Sequence, residues 1–255
     1  MDPTCRFSNR VSDYMKYRPG YPSALLGLLT RECGLTPFSL VADIGSGTGK
    51  LTELFLSNGN TVFAVEPNRE MRAAAEELLG GTPGFRSVEG RAEETGLGDL
   101  SVDMISAGQA FHWFDRDRSA AELRRILRPQ GYAVLVWNDR ERSGSPFLLA
   151  YEEFLRAFST DYGEVSARGA LTSEALGGFF KGPYGKAEFP NAKDVDFQGL
   201  LGRYLSASYA LTRDHPAFPV ARERLEGIFR SHEEKGLVRF SYVTRVYYGR
   251  FARGA

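Results

Sequence analysis

The stretch Val41-Ala42-Asp43-Ile44-Gly45-Ser46-Gly47-Thr48-Gly49-Lys50-Leu51 decides the fold. Leu40, Val41 and Ile44 form a short apolar run with the character of a buried strand, and three alternating glycines break it. Leu51, Leu54 and Phe55 follow at helical spacing, so the glycines occupy a strand-to-helix turn. Such a turn lets backbone approach a ligand closely, because glycine has no Cβ and tolerates positive φ. It also aims the N–H groups of a helix N-terminus at that ligand. A nucleotide-like molecule is expected here. Spacing then separates the loops of this kind. A phosphate-binding Walker loop, Gly-x-x-x-x-Gly-Lys-Ser/Thr, needs Gly at Ile44 and Ser or Thr at Leu51, and fails. The dinucleotide fingerprint Gly-x-Gly-x-x-Gly puts its third glycine on Lys50, which weakens a dehydrogenase reading.

What remains is Asp-x-Gly-x-Gly-x-Gly, and it resembles motif I of the class I methyltransferases that use S-adenosyl-L-methionine. The resemblance implies that cofactor, with Asp43, Gly45, Ser46, Gly47, Thr48 and Gly49 around it. About 20 residues on, the spacing of a ribose-binding acid in a βαβ unit, the β-branched and aromatic run Thr61–Val65 ends in Glu66. A carboxylate there can accept hydrogen bonds from both ribose hydroxyls; it can equally face solvent or cap the helix after Pro67. Met71, in the first turn of a helix over 68–79, packs on the adenine with Pro67 by resemblance, although a methionine at such spacing also serves as plain core.

The N-terminal segment Tyr14-Met15-Lys16-Tyr17-Arg18-Pro19-Gly20-Tyr21-Pro22 excludes a continuous helix. It resembles the Tyr-x-x-Tyr-Arg-Pro-x-Tyr-Pro lead of small-molecule methyltransferases related to trans-aconitate methyltransferase. In that group the lead folds over the cofactor, which implies Tyr14 and Arg18 at its methionine end, Arg18 pairing with the carboxylate, and Tyr17 beside them toward the substrate. A third strand, Phe85–Val88, runs on to Gly90-Arg91-Ala92-Glu93, where the resembled family meets the adenine edge with a backbone group (Ala92) and an acid (Glu93). Glu93 also reads as a solvated loop charge.

Val102–Ala107 is a fourth strand, followed by Gly108-Gln109-Ala110-Phe111-His112-Trp113-Phe114. Methylases of nucleic-acid amino groups carry Asn/Asp-Pro-Pro-Tyr/Phe at this place, whereas this chain has Ala-Gly-Gln-Ala-Phe. Phe-His-Trp-Phe instead resembles the small-molecule group. By that resemblance Ala107, Gln109 and Phe111 touch the cofactor, and Trp113, Trp137 and Arg140 the substrate. Aromatic faces stabilise a sulfonium by about 0.5–2 kcal/mol through cation–π attraction. His112 is the general-base candidate, its ordinary pKa lying near neutrality; it also reads as a residue that only orients the segment.

A helix opening at Asp117 or Ser119 carries Ala120, Leu123 and Ile126, and Leu127-Arg128-Pro129-Gln130-Gly131 closes it before a fifth strand, Tyr132–Trp137. Such alternation predicts an α/β fold with a doubly wound, Rossmann-like parallel sheet. After Asn138 come amphipathic helices around 147–158, 197–205 and 221–229, a Gly-rich stretch, and strands at 186–189 and 238–248. The family adds seven strands with the last antiparallel. The expected division is a cofactor-binding core with its N-terminal strap over 1–138 and a substrate region over 139–255. Helices within 145–182 and 196–234 are expected as a lid above the C-terminal strand ends, where open α/β sheets bind ligands.

Lys+Arg and Asp+Glu balance at 32 each in 255 residues, which argues against a broad electrostatic footprint for nucleic acid. Cys5 and Cys33 form neither a metal motif nor a disulfide framework, and no signal or bilayer-spanning run is evident, so a soluble cytoplasmic protein without a membrane partner is expected, as monomer or homodimer. The function expected is metal-independent methyl transfer to a small-molecule acceptor, a carboxylate or a hydroxyl. Arg140, Arg142, Arg203 and Arg213 are all candidates to clamp a carboxylate, and the sequence does not choose among them. A tRNA or protein methyltransferase and a non-catalytic, cofactor-binding partner subunit are the competing readings.

Overall fold

In the computed structural model, residues 17–164 and 171–252 are described. Helix α1 (Ala24–Cys33) precedes β1 (Leu40–Ile44), and the glycine turn then opens α2 (Lys50–Ser57). The rhythm continues as β2 (Thr61–Val65), α3 (Arg69–Leu79), β3 (Phe85–Val88) and β4 (Val102–Gly108). A 3-10 turn (Phe111–Trp113) leads to α4 (Arg116–Ile126) and β5 (Leu127–Arg140). Beyond it lie α5 (Pro146–Ala157), α6 (Ser173–Phe180), β6 (Tyr184–Val195), α7 (Phe197–Leu205), α8 (Phe218–His232) and β7 (Val238–Gly249).

The seven strands form one sheet in the order β3-β2-β1-β4-β5-β7-β6. The first five are parallel, and β7 lies antiparallel between β5 and β6, as expected for the last strand. Both faces are covered, which explains the near-continuous apolar strand sequences. Along β5, Ala133, Leu135 and Trp137 point to the core shared with α4 and α6, while Val134 and Val136 point to the core shared with α1 and α2. A further core gathers α5, α7 and α8 against Val195, Val238, Phe240 and Tyr242, at the end of the sheet where β5 finishes.

Several expectations need correction. The Gly-rich stretch contains α6, with Gly177 and Gly178 inside the helix. Ala175, Leu176, Phe179 and Phe180 bury its other face beside α4, and Arg124 donates to the Phe179 carbonyl at 3.4 Å, so α6 flanks the sheet and is not part of a lid. Helix α4 opens earlier than expected, because the Asp115 carboxylate caps it by accepting from the Arg118 N–H at 3.1 Å. The Leu-Arg-Pro-Gln-Gly segment already belongs to β5, with Leu127 paired to Val102 ahead of a register shift. Strand β6 runs through Pro190, which its position at the sheet edge permits. Among the described residues no helix is long and apolar enough to cross a membrane.

Candidate active site

Strand order reverses around β1, whose neighbours are β2 and β4. Ligands of open α/β sheets sit beyond the C-terminal strand ends at such a point. A cavity of about 730 Å³ lies here, reached by Gly45 and Gly47 after β1, Glu66 after β2, and Gly108 at the end of β4.

The three glycines of the turn differ in what surrounds them. A Cβ on Gly45 would come within 2.7 Å of the Ala110 Cβ, and one on Gly49 within 2.5 Å of Leu79 Cδ1. Those two serve packing. At Gly47, with φ at +57°, a Cβ would meet nothing within 4 Å. The middle glycine alone fronts open space.

Glu66 turns inward. One carboxylate oxygen accepts from the Gly47 N–H and the other from the Asn68 N–H, both at 2.8 Å. Each oxygen keeps a second lone pair for a ligand hydroxyl. Burial raises the Glu66 pKa, with the two backbone N–H groups opposing it. Glu66→Ala should weaken binding of a ribose-bearing ligand by about 1–3 kcal/mol, the range for charged hydrogen bonds. Because only the ionised form accepts at all its lone pairs, wild-type affinity should fall as pH is lowered through that raised pKa, and the variant should lose this dependence. Calorimetry across the pH range reads both, and an unchanged affinity in the variant removes Glu66 from the site.

Asp43 behaves differently: it borders the pocket of about 30 Å³ beside Gly45 and Gly47 and not the larger cavity. It is 1% exposed, and its oxygens accept from Thr52 Oγ1 at 2.7 Å and Ser106 Oγ at 2.9 Å, stapling β1 to α2 and β4. Burial pushes its pKa up from 3.8 to about 6. Between those values the native state holds the proton more firmly than the unfolded chain, so this group's contribution to stability is lost as pH rises through the window. Asp43→Asn should therefore gain in melting temperature relative to wild type between pH values of about 4 and 6. A constant difference across that range would refute the assignment.

Residues 42–135 match the family model described as a methyltransferase domain. That stretch resembles a methyltransferase domain. An uncharacterized methyltransferase of Mycobacterium bovis is 38% identical over 140 residues, covering 55% of this chain and 55% of its own. One of Schizosaccharomyces pombe is 33% identical over 138 residues, 54% of each chain. The chain thus spans about half the length of the curated relatives it matches. A solved protein of Anaeromyxobacter dehalogenans, provisionally described as a type II methyltransferase, shares the fold with TM-score 0.65 at 22% identity, over 93% of this chain and all of the other.

Pro67, Met71, Ala92 and Glu93 line the cavity, as do Arg18, Gln109, His112, Trp113 and Trp137. Glu93 already accepts from the Asp115 N–H at 2.7 Å. The His112 ring lies 4.6 Å from Trp113 and 5.5 Å from Trp137. Gln109 takes φ +56°, and its Oε1 is buried without a hydrogen-bond partner among the described residues. A left-handed non-glycine residue of this sort is held only when its surroundings over-determine it. Here the Gln109 N–H donates to Val136 and its side-chain amide to the Asn138 carbonyl. The Ser46 and Thr48 hydroxyls are likewise buried without partners among the described residues, and Ser46 faces a pocket of about 30 Å³ with Gly45 and Gly47.

Other expected contacts lie elsewhere. Ala107 and Phe111 are core at 1% exposure, because the 3-10 turn swings Phe111 edge-on to Phe179 at 4.8 Å. Thr48 and Gly49 sit behind the turn, outside the larger cavity. The Tyr17 ring fills the space beside Gly202 of α7, where a Cβ would be only 2.0 Å from Tyr17 Cε2, and lines neither cavity. Tyr14 and Cys5 lie outside the described residues. Arg140 lines a second cavity of about 610 Å³, but it is bonded to Glu152 and, at 3.0 Å, to the Tyr162 hydroxyl. Arg142 and Arg203 line that cavity too, and Arg213 lines neither.

Four lining or supporting residues escaped the sequence reading. Asn68 caps α3 by accepting from the Met71 N–H at 2.8 Å, a role its place ahead of a helical stripe could have signalled. Asn138 and Asn191 both donate to the Gly20 carbonyl, at 3.1 and 3.0 Å, fastening the segment that carries Arg18 to the sheet. Tyr209 borders both cavities from the segment between α7 and α8, and nothing local marks it. Among the described residues no three His, Cys, Asp or Glu side chains are grouped to hold a metal.

Proposed function

We propose that this chain transfers a methyl group from S-adenosyl-L-methionine to a small organic acceptor. The observation that carries the reading is the Glu66 carboxylate held at the end of β2, next to the open space in front of Gly47. The residues present fit the cofactor: open space in front of Gly47, an inward carboxylate, and unpartnered buried oxygens on Ser46 and Gln109.

When bound, S-adenosyl-L-methionine supplies an electrophilic methyl group on a sulfonium; the acceptor provides the electron pair for the new bond, and the pair of the broken bond stays on sulfur. Glu66 would hold the ribose hydroxyls, Pro67 and Met71 the adenine face, Ala92 and Glu93 its edge, and Arg18 the amino-acid carboxylate. Trp113 and Trp137, which line the cavity, would offer aromatic surface to the positive centre. His112 would take a proton from a hydroxyl acceptor, whereas a carboxylate acceptor needs no base. Alignment and exclusion of water can lower such a barrier by up to roughly 7–11 kcal/mol.

The region after Asn138 supplies the acceptor side through Tyr209 and the core of α5, α7 and α8, which we read as its lid. Tryptophan and tyrosine at the border of both cavities favour a small molecule over a tRNA or protein substrate, which would require an open basic groove. Calorimetric titration of nucleotide-stripped protein with S-adenosylhomocysteine, with NADH as control, tests the cofactor. Micromolar binding of the first alone is expected, followed by methylated product from a panel of small acceptors. Binding of NADH alone would overturn the class, and binding without turnover on any acceptor would support a partner-subunit role instead.

A further inference from the structure

The second cavity, of about 610 Å³, adjoins the first across Arg18, Gln109, Trp137 and Tyr209. Its volume is that of a small-ligand site. Arg18, Arg140, Arg142, Arg203 and Arg245 face it, against the carboxylates of Asp139 and Glu141. Much of the positive charge is answered within the fold. Arg140 is bonded to Glu152 and Tyr162, Arg245 to Asp139 and Glu188, and Arg18 donates to the Ser206 carbonyl at 3.2 Å.

Arg203 differs. Its guanidinium carbon lies 4.8 Å from the Tyr242 ring centre and 5.4 Å from that of Phe240, and its Nη1 is buried with no hydrogen-bond partner among the described residues. Stacking on aromatic faces fixes the plane of a guanidinium and leaves its N–H edge for a bidentate acceptor. A buried donor without a partner is costly unless a ligand supplies one. Arg203, Arg18 and Arg140 all oppose the upward push of burial on the Tyr242 hydroxyl, so these three positive charges lie near one another around it.

We propose that this cavity is the acceptor site and that the acceptor is a small organic carboxylate seated on Arg203. The assignment of the ligand as acceptor rests on the methyl-transfer reading; the anion site itself does not. It sets Arg203 above two of the other three arginines that the sequence leaves level, since Arg140 is occupied by Glu152 and Arg213 lies outside both cavities, while Arg142 shares the cavity with Arg203. Trp137, Tyr209 and Tyr247 in the walls suit a planar body behind the carboxylate.

The test is calorimetric titration of the full chain with benzoate and trans-cinnamate, with benzamide and cinnamamide as uncharged isosteres, in the presence and absence of S-adenosylhomocysteine. At least one acid should bind roughly 10- to 100-fold more tightly than its amide, the range expected for a charged hydrogen bond. Arg203→Met should remove that preference while leaving affinity for S-adenosylhomocysteine intact, Arg203→Lys should restore part of it, and Arg213→Gln should not alter it. Equal affinity for acids and amides, binding of neither, or an undiminished preference in a folded Arg203→Met would overturn the proposal. If Arg203→Met does not fold, the comparison of acid with amide on the wild type decides. Failure of S-adenosylhomocysteine to bind the wild type would instead strike the methyl-transfer reading, and the acid–amide preference measured without it would still decide the anion site.

Discussion

Gly47→Val should abolish measurable S-adenosylhomocysteine binding, a loss of at least about 100-fold, while the protein still folds. A loss of that size corresponds to about 2.7 kcal/mol. The valine would meet no protein atom, since nothing lies within 4 Å of the Cβ position. Its cost to the fold is the left-handed backbone alone, at φ +57°, about 1–2 kcal/mol for a residue with a Cβ. Its branches would occupy the space that the Gly47 N–H and the Glu66 carboxylate face together. The neighbouring turn glycine provides the contrast. Gly49→Val puts a Cβ 2.5 Å from Leu79 Cδ1 at φ +84°, so it should damage the packing of α3 on α2 and lower the melting temperature first. Calorimetry and thermal melts on both variants separate the two roles. A folded Gly47→Val with wild-type affinity would remove the turn from the binding site.

Glu152→Leu should destabilise the protein by about 3–5 kcal/mol, the usual result of stripping one partner from a buried ion pair. The Arg140 and Glu152 side chains are only 11% and 8% exposed, and Glu152 also accepts from the Tyr162 hydroxyl at 2.7 Å. Removing the carboxylate leaves a largely buried guanidinium without its charge partner, beside the Tyr162 hydroxyl and with the Tyr151 ring 5.2 Å away. For a chain of this size the melting temperature should drop by roughly 10 °C. The double variant Arg140→Leu/Glu152→Leu should recover most of the loss, because an apolar pair avoids the desolvation that the ion pair carries. Urea titrations supply the free energies. A loss below about 1 kcal/mol in the single variant would show that water reaches the pair and screens it.

The sheet was legible because its signals are local. The apolar runs, the glycine turn and the acid after β2 lie within a stretch whose periods can be counted, and the parallel order follows from alternation. Asp43 and Glu66 show where local reading stops. Both are acids near a strand end, yet the Asp43 oxygens are taken up by Thr52 and Ser106, the latter from β4, while Glu66 faces the larger cavity. Which carboxylate points inward depends on partners that no spacing reveals. Helix α6 was hidden by two glycines whose low helical propensity is overridden once Phe179 and Phe180 bury against the sheet. Phe111 was misplaced because the 3-10 turn rotates it away from the crevice. Arg203 and Tyr209 were unranked or unseen for a simpler reason, since they reach the cavities from chain far beyond the glycine turn.

The sequence contains two tryptophans; Trp113 lines the first cavity and Trp137 lines both. All indole emission of this chain therefore originates at the candidate site. Ligand entry can be followed by intrinsic fluorescence without a label and without background from the rest of the molecule. Replacing Trp113 by phenylalanine leaves one fluorophore that touches both compartments. With it, stopped-flow mixing resolves the order in which the two cavities fill.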